Sequence, residues 1–324
     1  MYKKANLLGL YCESPVHAGS GSDLGVIDLP VQREKHTDYP IFQGSTVKGA
    51  LRDSFDSAQA IDNALTSGIF SSFNINQDNE LQEAVDVVFG SEKDGDENQF
   101  AAALSFTDAR LLLFPVKSVK NTFVWVTSLG VLNRLKRDLE LTKTSPDWSL
   151  PQMKEEAIIS TQSELDEYSE KQVVIEEYTF DVEKSKQVND IATWIADNIF
   201  PKQTSEFWKE KLQTDLVILN DDDFSDFVKM STDVVARTKI NSDTKVVENG
   251  ALWYEENVPA DTVFYSLVLA NDVLKPSNSL DQLQEAEQVV DFFAAGLRDR
   301  IQLGGNQTIG RGIINTELLK GGTE

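Results

Sequence analysis

Cysteine and long apolar runs are scarce in this chain of 324 residues. The single cysteine, Cys12, cannot form an internal disulfide and has no cysteine partner for a zinc site, so it is expected to be a buried strand residue. No apolar run is long enough to span a bilayer, and the start MYKKANLLGLYCESP lacks the apolar stretch and cleavage site of a signal peptide. We therefore expect a cytoplasmic protein that has no membrane partner.

Several catalytic and cofactor motifs are also missing. The sequence contains no HExxH, no DxDxDG calcium loop and no GxSxG nucleophile elbow, so zinc-protease, calcium-loop and Ser/His/Asp chemistry find no support. The glycine-rich segment GGNQTIGRG lies between a predicted helix and the last predicted strand. A Rossmann nucleotide site needs the opposite order, so that interpretation fails.

Positively charged residues are few, because the chain has 30 Lys and Arg against 53 Asp and Glu, which gives a formal net charge of -23. A strongly acidic total usually argues against a nucleic-acid partner. The distribution reverses that argument, because residues 1–52 carry six basic and five acidic residues while residues 53–100 carry one and eleven. The two segments 53–100 and 142–190 are therefore predicted to be acidic surface insertions.

Apolar periodicity predicts an α+β chain. Strands are expected at residues 5–12, 103–116, 121–128, 173–182, 216–219 and 261–271, with a long hairpin at 233–257. Helices are expected at residues 44–55, 128–141, 189–200, 205–212, 223–230 and 281–303. Ser45 is the predicted N-cap of the first helix. The order strand, helix, strand, strand indicates one or two ferredoxin-like units with long insertions.

Two basic and glycine-rich features could bind phosphate. Lys48 and Arg52 lie four residues apart on the predicted helix that follows GST, and a cation in a first helical turn is unfavourable unless an anion also binds there. Glycines in the last loop let backbone N–H groups approach a phosphate, and an arginine there supplies a bidentate charge. These loop residues are Gly304, Gly305, Gly310, Arg311 and Gly312. Solvated surface charges and a plain surface turn are the simpler alternatives.

The polar loop HAGSGSDLGVIDLP holds His17 and ends near Asp28, and His36 follows shortly afterwards. An aspartate in such a loop is commonly a turn-former, and a histidine commonly a structural hydrogen-bonding group. Cleavage of a phosphodiester through its neighbouring 2′-hydroxyl, however, needs only a base or a metal ion and charge stabilisation at the phosphate. One loop carboxylate could supply the first of these.

Four motifs together resemble one family. They are the long segment HAGSGSDLGVIDLPVQREKHTDYPIFQGSTVKGALRD, the strand pair FTDARLLLFPVKS and FVWVTS, the segment NGALWYEENVPADTVFY and the loop GGNQTIGRG. These motifs are similar to the backbone subunit of the type III-B CRISPR RNA-guided effector complex, in the RAMP superfamily. The resemblance implies a modified ferredoxin-like (RRM-like) palm spanning residues 1–324 and a β-hairpin thumb. It also implies copies of the chain in a helical filament along a guide RNA, together with the other subunits of the complex.

The resemblance also implies activity and site residues. Complementary target RNA would be cut at regular intervals by a metal-dependent endoribonuclease, with a divalent ion, Mg or Mn. Asp28 matches the aspartate on which cleavage rests, and His17 matches a nearby loop histidine. Lys48 matches a lysine that holds guide phosphates, with Ser45 and Arg52 beside it, and the terminal glycine loop faces RNA. The thumb would contribute Arg237, Lys239, Trp253 and Tyr254.

Two alternatives stay open at this point. The chain could coat guide RNA without cutting, or it could be a histidine-dependent ribonuclease that processes the guide. The sequence also leaves open whether Glu255 or Glu256 assists Asp28.

Overall fold

The computed structural model describes residues 2–22, 25–91, 101–166, 171–274 and 280–322. The strands are β1 (Lys4–Cys12), β2 (Ile41–Phe42), β3 (Leu104–Phe106), β4 (Ala109–Lys117), β5 (Phe123–Ser128), β6 (Ala157–Ser160), β7 (Gln172–Ile175), β8 (Tyr178–Ser185), β9 (Leu216–Leu219), β10 (Asp233–Ile240), β11 (Val247–Asn257), β12 (Val263–Ala270), β13 (Arg300–Gln302) and β14 (Ile313–Leu319). The helices are α1 (Gly44–Asp56), α2 (Ala58–Ser67), α3 (Asp78–Phe89), α4 (Leu129–Leu141), α5 (Lys186–Asn198), α6 (Glu206–Asp215), α7 (Asp221–Met230) and α8 (Ala286–Gly296).

One mixed sheet of twelve strands organises this part of the chain, in the order β13-β14-β1-β12-β4-β5-β9-β6-β8-β7, with β2 on β4 and β3 on β12. The apolar strand β1 lies between β14 and β12, antiparallel to both, and Leu7 is paired with Leu267 on one side and Leu319 on the other. The helices pack on this sheet. The predicted α+β fold class is confirmed.

The first helix buries the predicted stripe of Val47, Leu51 and Phe55. The Phe55 ring lies 5.2 Å from that of Phe89, at the end of α3, and 6.0 Å from that of Phe293, in α8. The segment 53–100 was expected to be a surface insertion, but α3 places six of its twelve residues in the core. The pattern was missed because α3 alternates these apolar residues with acidic ones.

The segment 142–190 also differs from the expected acidic insertion. Strand β6 lies inside the sheet between β9 and β8, and all four of its residues are buried. The single strand expected at 173–182 is a hairpin of β7 and β8, because the chain turns at Glu176, which has φ 52°. Three apolar residues between acidic segments, Ala157, Ile158 and Ile159, are too few to give a periodic signal.

The last helix is shorter than the predicted span 281–303. It begins at Ala286 after a capping box and ends at Gly296, where a side chain would lie 2.2 Å from the Phe55 ring. The chain is extended after Gly296, so Arg300 lies in β13 and not in the last turn of the predicted helix. Arg300 pairs there with Glu13.

Strands β10 and β11 form a separate two-stranded sheet at residues 233–257, as the pattern predicts. Arg237 lies opposite Trp253, so these two side chains share a face. The predicted thumb residues Trp253 and Tyr254 point to opposite faces of the hairpin, because neighbouring residues in a strand alternate between its faces. Several apolar residues of the hairpin are exposed: Val234, Ile240, Val246, Val247, Leu252 and Tyr254.

A search of the described residues for a helix long and apolar enough to cross a membrane finds none.

Candidate active site

Two loops that are far apart in sequence meet beside the N-terminus of α1. The N–H of Gly305 donates to the carbonyl of His17 at 2.9 Å, and the N–H of Gly312 donates to the carbonyl of Pro15 at 2.9 Å. Gly304 has φ 81°, and a Cβ atom there would lie 2.5 Å from the His17 carbonyl oxygen. The glycines at these positions therefore allow the terminal loop to touch the histidine loop.

A groove of about 480 Å³ lies where the loops meet. Its lining includes His17, Gly19, Thr46, Gly304 and Gly305. Backbone and small side chains dominate this surface, so an extended ligand could approach the main chain closely. Gly310 lies at the far end of the terminal loop with φ 77° and has open space around it.

His17 is oriented by the hairpin. Its Nδ1 lies 2.7 Å from the carbonyl oxygen of Glu256. Because a carbonyl only accepts, Nδ1 carries the hydrogen, and in the neutral ring Nε2 is then the acceptor. A Cβ atom at Gly19 would lie 2.8 Å from Nε2, so this glycine leaves room beside the free ring nitrogen.

Asp28 lies at the base of the hairpin and is exposed. Its Oδ2 accepts from the N–H of Tyr254 at 2.7 Å. The adjacent backbone is also paired, since Leu29 donates to the carbonyl of Tyr254 and accepts from the N–H of Glu256, both at 3.0 Å. Within the described ranges the carboxylate has no other hydrogen-bond partner, so Oδ1 is available to solvent or to a ligand.

The two glutamates that follow Tyr254 are both buried, but they have different partners. Burial opposes ionisation of Glu255, yet hydrogen bonds from Arg237 and Asn306 and the nearby charges hold its pKa below its usual range. Glu256 is 2% exposed and uses both oxygens in hydrogen bonds within the protein. Glu255 also lies close enough to His17 for the two to interact electrostatically, which was not evident from the sequence.

The donor set for a divalent ion is small. No group of three or more His, Cys, Asp or Glu side chains that could hold a metal ion is found among the described residues. A hard ion such as Mg²⁺ commonly uses one or two carboxylates and completes its shell with water and substrate phosphates. The exposed oxygen of Asp28 fits that mode, in which an RNA phosphate would be a further ligand.

Lys48 is half-buried in α1 and has no hydrogen bond or ion pair with the residues that the structure describes. Burial and the neighbouring Arg52 charge lower its pKa. An anion bound at this position would relieve both effects. The phosphate contact of Lys48 stays a prediction.

Arg52 does not share this open position. Its guanidinium donates to Asp86 at 2.6 Å and to the carbonyl of Gly90, and it lies 3.6 Å from Asp56. The side chain thus binds α1 to α3, which corrects the expectation that it faces RNA beside Lys48. The sequence could not show this because the partners come from α3.

Ser45 is exposed and is the second residue of α1. The predicted N-cap is wrong, because α1 begins at Gly44 and Gln43 occupies the cap without a side-chain bond. The N–H of Gly44 donates instead to Oδ1 of Asp108 at 2.8 Å. The N-cap role is therefore absent.

The other predicted basic residues differ in exposure. The Arg311 side chain is 15% exposed and lies 3.6 Å from Asp233 at the start of the hairpin. Arg237 binds the buried Glu255 at 3.0 Å, whereas Lys239 pairs with Glu248 on the exposed part of the hairpin. Arg311 and Arg237 therefore form ion pairs at the base of the hairpin, and their predicted contacts with RNA stay predictions.

Comparison with known proteins gives a consistent result. The family model described as the RAMP superfamily matches residues 10–315. The chain is 34% identical over 317 residues to the CRISPR system Cmr endoribonuclease Cmr4 of Pyrococcus furiosus, covering 97% of this chain and 96% of that one. It is 27% identical to the CRISPR system CMR subunit Cmr4 of Saccharolobus solfataricus, covering 94% and 93%.

Solved structures show the same similarity. The crystal structure of oligomeric Cmr4 from Pyrococcus furiosus superposes with a TM-score of 0.68 at 28% identity, covering 99% of both chains. A chain of the type III-B Cmr-beta complex bound to cognate target RNA superposes with a TM-score of 0.66 at 23% identity, covering 98% of both chains. The fold class implied by the family resemblance is thereby confirmed.

Proposed function

The chain belongs to the RAMP superfamily and, within it, to the Cmr4 family, and from this premise we propose that it is the guide-RNA-binding backbone subunit of a type III-B CRISPR effector complex. In that complex it acts as the endoribonuclease that cuts complementary target RNA at regular intervals. Its partners are guide RNA, target RNA, further copies of itself in a filament and the other subunits. Its place of action is the cytoplasm.

One observation supports the nuclease role above the others. Asp28 is an exposed carboxylate bound to the backbone of the hairpin through Tyr254, and it lies beside a glycine-lined groove. A carboxylate is a poor binder of phosphate because both are anionic. Its presence is accounted for when it accepts a proton from a target 2′-hydroxyl or binds a cation close to the phosphate.

The residues have separate tasks in this proposal. Lys48 neutralises a guide phosphate next to the N-terminus of α1, where backbone N–H groups also favour an anion. The hairpin contacts the duplex of guide and target and aligns a target 2′-hydroxyl with its phosphate. Sequence recognition comes from base pairing, and the protein contacts backbone and shape.

A divalent ion, Mg or Mn, is part of the proposal. Asp28 would hold it together with RNA phosphate oxygens, and the ion would supply activation of the hydroxyl and charge stabilisation. Asp28 also orients the site through Tyr254, and His17 presents Nε2 towards the groove as a hydrogen-bond acceptor. Both groups would contact the reacting part of the target strand.

The test is cleavage of end-labelled complementary RNA by the reconstituted complex, with Mg²⁺ and with EDTA. We expect regularly spaced cuts with Mg²⁺ and none with EDTA. Cutting of the target that continues in EDTA would contradict the metal role, and cutting of precursor guide in EDTA would favour the histidine-dependent alternative. A complex that binds target without any spaced cuts in Mg²⁺ would indicate a coating subunit.

A further inference from the structure

We infer that Glu256 is a positioning residue that holds the Asp28 loop against the base of the hairpin. The inference rests on the proposed function, because it concerns the geometry of the same cleavage site. Glu256 lies two residues after Tyr254, whose N–H binds Asp28. It is 2% exposed, so it does not reach RNA itself.

The carboxylate of Glu256, in β11, binds two other segments of the chain through three hydrogen bonds. Oε2 accepts from the N–H of Val31 at 2.9 Å, three residues after Asp28. Oε1 accepts from Arg33 Nη2 at 2.5 Å and from the hydroxyl of Thr232 at 2.7 Å. Val31 and Arg33 belong to the Asp28 loop, and Thr232 immediately precedes β10.

The backbone of the same residue holds two more groups. Its N–H donates to the carbonyl of Leu29 at 3.0 Å, and its carbonyl accepts from His17 Nδ1 at 2.7 Å. One residue therefore fixes the backbone on the C-terminal side of Asp28 and the orientation of the His17 ring. The hairpin that would contact target RNA and the loop that would cut it are joined at this point.

Removing the charge of Glu256 has a predictable local effect. An amide in its place can accept on one side only, so either Val31 N–H or the guanidinium of Arg33 loses a buried partner. Arg33 keeps its bond to the carbonyl of Asp38 at 2.7 Å, so the guanidinium has an alternative partner when its bond to Glu256 weakens. Asp28 then keeps its bond to Tyr254 on a loop that is less firmly fixed.

The experiment compares Glu256→Gln with Glu248→Gln in the complete, guide-loaded complex. Glu248 is a carboxylate on the same strand that pairs only with the exposed Lys239 in the described structure, so it is the matched control. We expect Glu256→Gln to lower the single-turnover rate constant of cleavage on the order of 10- to 100-fold at saturating target. Guide content, half-saturating target concentration and cut spacing should stay at wild-type values, and Glu248→Gln should match wild type throughout.

A second variant separates positioning from folding. Arg33→Met removes the other half of the ion pair, and the double variant with Glu256→Gln should lose no more activity than the larger single effect. Additive losses would contradict a shared role. A Glu256→Gln complex that loses guide RNA together with cleavage would show a structural role only and overturn the inference.

Failure of the inference and failure of the proposed function give different results. A wild-type rate constant in Glu256→Gln, with cleavage abolished in Asp28→Ala, overturns only the positioning role. Unchanged spaced cutting in Asp28→Ala overturns the proposed function itself.

Discussion

The contact between the two glycine-rich loops can be tested with a pair of alanine substitutions. Gly304 and Gly310 have nearly equal backbone conformations, with φ 81° and 77°, in the left-handed region. They differ in their surroundings, because a Cβ atom at Gly304 would lie 2.5 Å from the His17 carbonyl oxygen, whereas a Cβ atom at Gly310 would have no atom of another described segment within 4 Å. Alanine at either position incurs the same conformational strain, and only the first disturbs the contact.

The expected magnitudes follow from these distances. The left-handed conformation costs alanine about 1–2 kcal/mol at either position. At Gly304 the His17 carbonyl must also move, which adds about 1–3 kcal/mol for overpacking and weakens the bond from Gly305 N–H, worth about 1 kcal/mol. We therefore expect Gly304→Ala to lower the free energy of unfolding by about 2–4 kcal/mol more than Gly310→Ala.

Urea unfolding of the purified variants measures this difference directly, and the cleavage rate of the assembled complex gives a second comparison. Gly304→Ala should also lower the cleavage rate at saturating RNA, because His17 moves with its carbonyl, and it should do so more than Gly310→Ala. Equal destabilisation by the two substitutions would show that the loop contact contributes nothing and refute the reasoning.

Three further predictions concern single side chains. Lys48→Met should weaken RNA binding with little change in the free energy of unfolding, whereas Arg52→Met should lower that free energy by about 1–3 kcal/mol. Salt-dependent RNA binding measures the first effect and urea unfolding the second. The reverse pattern would contradict the positions assigned to the two side chains. Gly19→Ala should lower the cleavage rate without lowering guide binding, because its methyl group would lie 2.8 Å from Nε2 of His17; an unchanged rate would exclude a role for that nitrogen. Burial opposes ionisation of Glu34, but hydrogen bonds from Thr37 and Arg134 lower its pKa below 4.5. Its stabilisation is therefore present above pH 4.5 and disappears as the pH falls through the lowered value. Glu34→Gln should cost about 1 kcal/mol at pH 7 in urea melts, and the cost should shrink progressively as the pH is lowered from 4.5.

Local sequence patterns predicted much of the fold. The stripe of Val47, Leu51 and Phe55 and the apolar strand β1 gave clear periodicity, and both elements are present. Strand β6 was missed because four buried residues between acidic segments carry no periodic signal. Arg52 was misplaced because its partner Asp86 comes from a different helix.

The candidate site was less predictable than the fold. Its glycines, Asp28 and His17 were found by residue type, and the structure brings them together beside the base of the hairpin. The buried links to the hairpin could not be inferred, because Glu256 and Arg33 are 223 positions apart and meet only in the folded chain. The face of the hairpin occupied by each aromatic residue likewise depends on strand register.

The most direct test of the central claim is the cleavage pattern of a complex carrying Asp28→Asn. The amide oxygen of asparagine can still accept from Tyr254 N–H, so the loop should keep its position while the negative charge is lost. With guide RNA and target binding verified in the same preparation, we expect the rate at every spaced position to fall on the order of 10²- to 10⁴-fold. Spaced cuts at the wild-type rate would contradict the account and assign cleavage to another residue or subunit.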